Sequence, residues 1–196
     1  MPIRDQQHKI SRQSPGDGNL EPSWRAAKDD AETLRQLLQV HGQKLLKAAA
    51  RNAGPDEIAI TLDAALEVEP KAEQIVLEHS ALAGNAALFR WMLQHRMPEP
   101  DLSTMLRLYA VKGGVKIWKV LLEYNHKCIN WGIGEHGDAL GQAVLKRDAR
   151  LVQFLLDEGS DVNESNFVGM PVLPAAKAMG ASPEILDLLA SHGAPE

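Results

Sequence analysis

The sequence predicts an all-α chain built as a stack of repeated helical hairpins. Two observations carry this prediction. Five apolar runs with helical spacing begin at Ile58, Leu88, Ile117, Leu151 and Ile185, with first residues 30, 29, 34 and 34 apart. The last two copies also match outside these runs: Asp138–Asn163 aligns with Met170–Ala176 followed by Ile185–Ala194. A self-similar period of about 20–50 residues marks a solenoid, in which each unit stacks only on its neighbours.

Taken in order, residues 1–23 hold Arg4, Asp5, Lys9, Arg12, Pro15, Gly16, Gly18 and Pro22 and almost no large apolar side chain. Such a segment buries too little surface to offset its ordering entropy, so it reads as a disordered tail. Residues 24–42 read as a leading helix or cap, with Leu34, Leu37, Leu38 and then Leu45 at helical spacing. Gly42 is expected to break this stretch in two. From residue 43 to 196 one unit repeats: a short helix, a tight turn, a second helix and a loop. The second helices are the five apolar runs, each wide enough to bury one side. The first helices are Ala-rich: Leu45–Ala50, Glu78–Ala83, Arg107–Ala110, Gly141–Val144 and Pro174–Ala178. Small residues there allow adjacent units to approach closely.

At these residues the chain resembles the ankyrin repeat family, whose pattern runs G-x-T-P-L-H-x-A-A-x-x-G-H-x-x-I-V-x-x-L-L-x-x-G-A-x-x-N. Asp138–Asn163 follows that spacing, with Gly159, Ser160 and Asn163 in the closing turn. Met170, Pro171, Gly193 and Ala194 follow it with two extra residues between the helices. Thr104, Tyr109, Ala110, Gly113 and Asn130 fit a third copy; Ser80, Ala81 and Gly84 fit a fourth; the copy around Ala49, Gly54 and Ile58 is degenerate. The resemblance implies an ankyrin-repeat solenoid of about five units with short finger loops. The chain departs from the family at the T-P-L-H histidine, where Glu78, Arg107, Gly141 and Leu173 stand. Asp138 and Thr104 are still expected to cap their helices. Gly193, Gly159 and Asn125 are expected to accept a left-handed backbone in the closing turn, and Arg96 to do so at a cost.

Composition narrows the function classes. A hydrophobic fraction of 44% supports a core, and aromatics are only 5%. The net charge of −5 gives no support for nucleic-acid binding. A single cysteine, Cys128, excludes an internal disulfide and removes the ligands of cysteine-rich zinc sites. No run approaches a membrane span, and the N-terminus lacks an apolar leader, so the expected location is cytoplasmic or nuclear.

Three clusters invite a chemical reading. Gly132-Ile-Gly-Glu-His-Gly137 spells a dinucleotide-binding turn, but that turn needs a preceding strand and a βαβ unit, and helices surround this one. Glu135, His136 and Asp138 lack the partners of a metal or acid–base site. Glu78, His79 and Ser80 are neighbours on one helix and point in different directions, so they form no relay. No catalytic, cofactor or metal site is therefore expected. The core claims Trp91 and Trp118, whereas Trp131 and Phe167 lie on loops, where aromatic residues serve as interface anchors.

The resemblance thus implies a protein–protein interaction module, monomeric alone, that binds a partner on its concave face and finger loops. By register the implied contact residues are Lys112, Trp131, Glu135, His136, Leu145, Lys146, Asn166, Phe167 and Lys177. The alternative is a small-molecule binder or unorthodox enzyme that uses the concave groove around His79 and Tyr109.

Overall fold

A computed structural model describes residues 20–97, 102–133, 137–167 and 169–195, with Asn166 and Phe167 described by their backbone. The fold is all-α. Its helices are α1 (Glu21–Ala27), α2 (Ala31–His41), α3 (Gln43–Asn52), α4 (Pro55–Leu66), α5 (Ala72–Ala83), α6 (Ala86–His95), α7 (Thr104–Gly113), α8 (Val115–Tyr124), α9 (Ala139–Leu145), α10 (Ala149–Asp157), α11 (Val172–Ala178) and α12 (Pro183–Ser191). A 3-10 turn spans His126–Asn130, and a two-stranded ribbon pairs β1 (Asn166–Phe167) with β2 (Met170–Pro171).

Successive helices form hairpins, and the hairpins pack in two rows. In one row α1, α3, α5, α7, α9 and α11 touch in that order; in the other, α2, α4, α6, α8, α10 and α12 do. The segment expected to be a leading cap is therefore a hairpin of its own. It begins at Glu21, earlier than the Trp24 expected from the pattern, and Leu20 is already buried. Asp30 divides it, its carboxylate accepting from the backbone N–H groups of Glu32 and Thr33. Trp24 is fully buried, and its indole N–H donates to Thr61 Oγ1 at 2.9 Å on α4. Gly42 separates α2 from α3 at φ +52, as expected.

The first-helix row packs closely because its contact surface is small. Ala49, Ala50, Ala81 and Ala110 are fully buried there. At Gly113 the approach is closest: a Cβ built there would lie 2.0 Å from the Ala81 carbonyl oxygen and 2.7 Å from Ile117 Cγ1. Only glycine fits between α7 and α5.

The turn inside three of the last four hairpins repeats one device, and the fourth, at Gly114, shares only its positive φ. Gly84, Gly114, Arg147 and Gly180 occupy equivalent places with φ of +72, +78, +58 and +64. At three of them the flanking N–H groups reach back to the helix end: Asn85 to Ser80, Asp148 to Ala143 and Ala181 to Ala176. This is a Schellman closure, which needs a left-handed residue. Arg147 fills that place without being glycine, and its guanidinium donates to the Met179 carbonyl at 3.1 Å, in the next hairpin.

After the second helices of the last two hairpins, Gly159 and Gly193 are left-handed as expected. Asn125 and Arg96 are not: their φ values are −149 and −117. Asn125 instead caps the 3-10 turn through the Lys127 N–H, and Arg96, at negative φ, does not carry the cost expected of it. Ser103, rather than Thr104, caps α7. Asp138 caps α9 as expected, accepting from Gly141 N–H at 2.8 Å.

Trp118 is fully buried, while Trp91 is half-buried and stacks on His95. Leu155 is fully buried. Leu155→Ala should lower stability by about 2–5 kcal/mol in urea titration, and a smaller loss would mean the site is not a packed core position. Gly113→Ala should cost about 1–3 kcal/mol despite alanine's better helix propensity. A neutral or stabilising result would contradict the close approach of α5 and α7.

Candidate functional site

The expected contact residues belong to the first-helix row and to the connections leading into it. The structure separates them into side chains that face solvent and side chains that hold neighbouring hairpins together. Lys112 is exposed near the end of α7, with its ammonium 5.7 Å from the Tyr109 ring centroid. Leu145 is exposed at the end of α9, and Lys177 is exposed on α11. Trp131 is 41% exposed in the connection after the 3-10 turn.

Lys146 is solvent-accessible, but its ammonium is committed within the stack. It donates to the carbonyls of Val111 at 3.2 Å and Lys112 at 3.3 Å, and to Asp148 at 3.1 Å. A cation at the end of α7 meets the negative end of that helix dipole, so Lys146 ties α9 to α7. Asn166 and Phe167 supply the first strand of the ribbon, with Phe167 opposite Met170; their side chains lie outside the described residues. Glu135 and His136 lie outside the described residues altogether.

Arg107 on α7 ties two loops together. It is buried, and its guanidinium donates to the carbonyls of Leu102 and Gly132, the latter at 2.6 Å. Its guanidinium carbon also lies 5.6 Å from the Trp131 ring centroid, a cation–π contact. Trp131 is therefore positioned by a buried arginine from the preceding hairpin while leaving much of its ring in solvent. Met105 and Met170 are each 45% exposed and were not anticipated as contact residues. Periodicity marks buried faces, so an exposed methionine on α7 leaves no signal of its own.

The clusters with possible chemistry resolve in structural terms. The segment before Gly132 is a 3-10 turn, so no strand precedes the glycine-rich stretch. Ile133 is buried and its N–H donates to the Gly137 carbonyl. Asp138 is buried, and its carboxylate accepts from Ser165 Oγ at 2.9 Å as well as from Gly141. Ser80 donates its hydroxyl to the Leu77 carbonyl at 2.7 Å, away from any partnership with His79. Burial pushes the Cys128 thiol up to about 11, against the opposing pull of the Arg107 charge, which leaves a protonated, inert side chain.

His79 meets Tyr109 edge-to-face, with ring centroids 5.7 Å apart. Its Nδ1 lies 3.0 Å from the Ile75 carbonyl, which requires a proton on that nitrogen. Burial, reinforced by the charges of Lys47 and Arg51, lowers its pKa; the bond to Ile75 and the nearby Glu78 oppose this. Two grooves lie on the other row. One of 310 Å³ is lined by Lys119, Leu122, His126 and Phe154, and one of 210 Å³ by Arg90, Leu93, Val120 and Tyr124. Neither contains His79 or Tyr109.

Among the described residues, no helix is long and apolar enough to cross a membrane, and no group of His, Cys, Asp and Glu is arranged to hold a metal. No protein-family model, no curated protein and no solved structure matches this chain.

The lowered acidity range of His79 has a consequence for stability. The unfolded chain takes up the proton first as pH falls, so the fold loses stability as pH drops through the ordinary histidine range near 6.5. His79→Gln should flatten the urea midpoint between about pH 7 and pH 5. An unchanged profile in the variant would show that other groups set the slope.

Proposed function

We propose that this chain is an ankyrin-type interaction module that binds another protein along its first-helix face and the connections beside it. The observation that carries this reading is the set of large apolar side chains left exposed there. Met105 on α7, Trp131 before α9, Leu145 on α9 and Met170 before α11 are each 41–47% exposed. Val40, Ile60, Leu66, Val68 and Tyr124 are also exposed, on or beside the second helices; the first-helix side is distinguished by Trp131, a tryptophan held in place by Arg107, and tryptophan is enriched among interface anchors. The ankyrin-type reading is supported by the hairpins packing in two rows, by the recurring left-handed turn and by the Asn166–Pro171 ribbon in a finger position. Side chains with reactive groups are committed to the fold: Asp138 and Ser80 to local hydrogen bonds, Cys128 to the core.

Affinity capture with the full chain, followed by calorimetry on the captured partner, tests this reading. Trp131→Ala with Leu145→Ala should weaken binding at least tenfold, as the loss of about 2 kcal/mol from an interface anchor requires. Circular dichroism melting of the same sample should be unchanged. Retained affinity in a folded double variant would overturn the reading of this face as the contact surface.

A further inference from the structure

The chain is acidic overall, yet its charge is divided between the two rows. Helix α3 carries Lys44, Lys47 and Arg51 and no acidic residue; α7 carries Arg107 and Lys112 and no acidic residue. On the other row, α4 carries Asp56, Glu57 and Asp63 and no basic residue, and α12 carries Glu184 and Asp187. The arginines of the second-helix row are largely neutralised across hairpins: Arg35 by Glu67, Arg90 by Glu123. Arg96, in the connection after α6, meets both Asp63 and Glu73. Among the described residues no carboxylate forms an ion pair with Lys47, Arg51 or Lys112.

These cations surround one partly apolar spot. Lys47 and Arg51 lie near enough to His79 for their charges to add to burial in lowering its pKa. His79 packs on Tyr109, and the Lys112 ammonium stands over the other end of that contact, 5.7 Å from the Tyr109 centroid. The acidic group on this face, Glu78, is engaged by Gln74 Nε2 at 2.8 Å. The face is therefore a half-buried aromatic patch with cations on both flanks.

We propose that the face formed by Lys47, Arg51, His79, Tyr109 and Lys112 docks an acidic, extended segment of the partner protein. This rests on the interaction-module reading and names the chemistry of its partner. Neighbouring helix axes stand about 8–10 Å apart, so α3 to α7 spans about 16–20 Å. An extended chain covers that distance in about five or six residues, at about 3.3 Å each. Carboxylates of such a segment reach Lys47 and Arg51 at one end and Lys112 at the other, with an apolar side chain on Tyr109 between them. Charge complementarity of this kind sets specificity and association rate. A polynucleotide fits less well: it presents charge along its whole length, and the acidic second-helix row of a chain with net charge −5 repels it.

The test measures fluorescence anisotropy of a labelled peptide of Glu, Asp and Leu against the full chain. Controls are the same peptide with Gln and Asn for the acids, and a single-stranded oligothymidylate. The acidic peptide should bind, more weakly as salt rises, and the amide peptide should not. Lys47→Glu, Arg51→Glu and Lys112→Glu together should weaken binding at least tenfold with unchanged melting. Lys116→Glu with Arg150→Glu, exposed on the other row, should leave it unaltered. If the triple reversal impairs folding, Lys47→Gln with Lys112→Gln supplies the same comparison. No binding, equal binding of the amide peptide, tighter binding of the oligonucleotide, or insensitivity to the charge changes would each overturn the proposal. A partner that depends on Trp131 and Leu145 but is not displaced by the acidic peptide would overturn it while leaving the interaction-module reading intact.

Discussion

The stack depends on how closely the first helices approach one another. That distance is set by missing side-chain volume: alanine at 49, 50, 81 and 110, and no side chain at Gly113, where even a methyl group would meet the Ala81 carbonyl. Close approach buries these helices against each other, and the larger Leu, Ile, Phe and Trp side chains of the second helices fill the remaining space. Leu88, Phe89, Ile117, Trp118 and Leu155 are all fully buried. Interior packing is dense enough that a single methyl group matters at such a contact.

Register along the stack is set by polar bonds between residues about one unit apart. Asn85 Nδ2 donates to the Ala53 carbonyl at 2.9 Å, Arg96 to Asp63 at 2.8 Å, and Asp161 N–H to Asn130 Oδ1 at 2.9 Å. Arg107, Lys146 and Arg147 reach backbone carbonyls of adjacent units. Exposed ion pairs of this kind stabilise little. Their geometric effect is larger: each is satisfied only when neighbouring hairpins sit at one offset. These bonds occupy cations beside both rows, Arg96 after α6 as well as Arg107 and Lys146 on the first-helix side, whereas among the described residues no carboxylate pairs with Lys47, Arg51 or Lys112.

The five second helices were legible because a buried helix face imposes a period on apolar residues. Asp138 as a cap, and Gly42, Gly159 and Gly193 as turn residues, were legible because each has a local backbone requirement. The first hairpin was harder to see. Its signals were Asp30, whose capping role depends on the turn after Ala27, and Trp24, whose indole partner Thr61 is 37 residues away. Asn125 and Arg96 misled because their places in the repeat suggested left-handed turns, whereas local hydrogen bonds hold them in other conformations. On the candidate site, the exposure of Lys112, Trp131, Leu145 and Lys177 followed from the repeat register. The commitment of Lys146 to α7 did not, since its partners lie 34 and 35 residues back along the chain. The pairing of Arg107 with Trp131 likewise requires two connections to meet in space.

If neighbour contacts hold this chain together, the outer hairpins must be weaker than the middle ones, because among the described residues each outer hairpin packs against one other hairpin and each middle one against two. Native-state hydrogen exchange, resolved by segment, measures this directly. The account predicts that amides of α11 and α12 exchange through local openings of lower free energy than those of α5 to α8. A single free energy shared by every helix, equal to that of global unfolding, would contradict it.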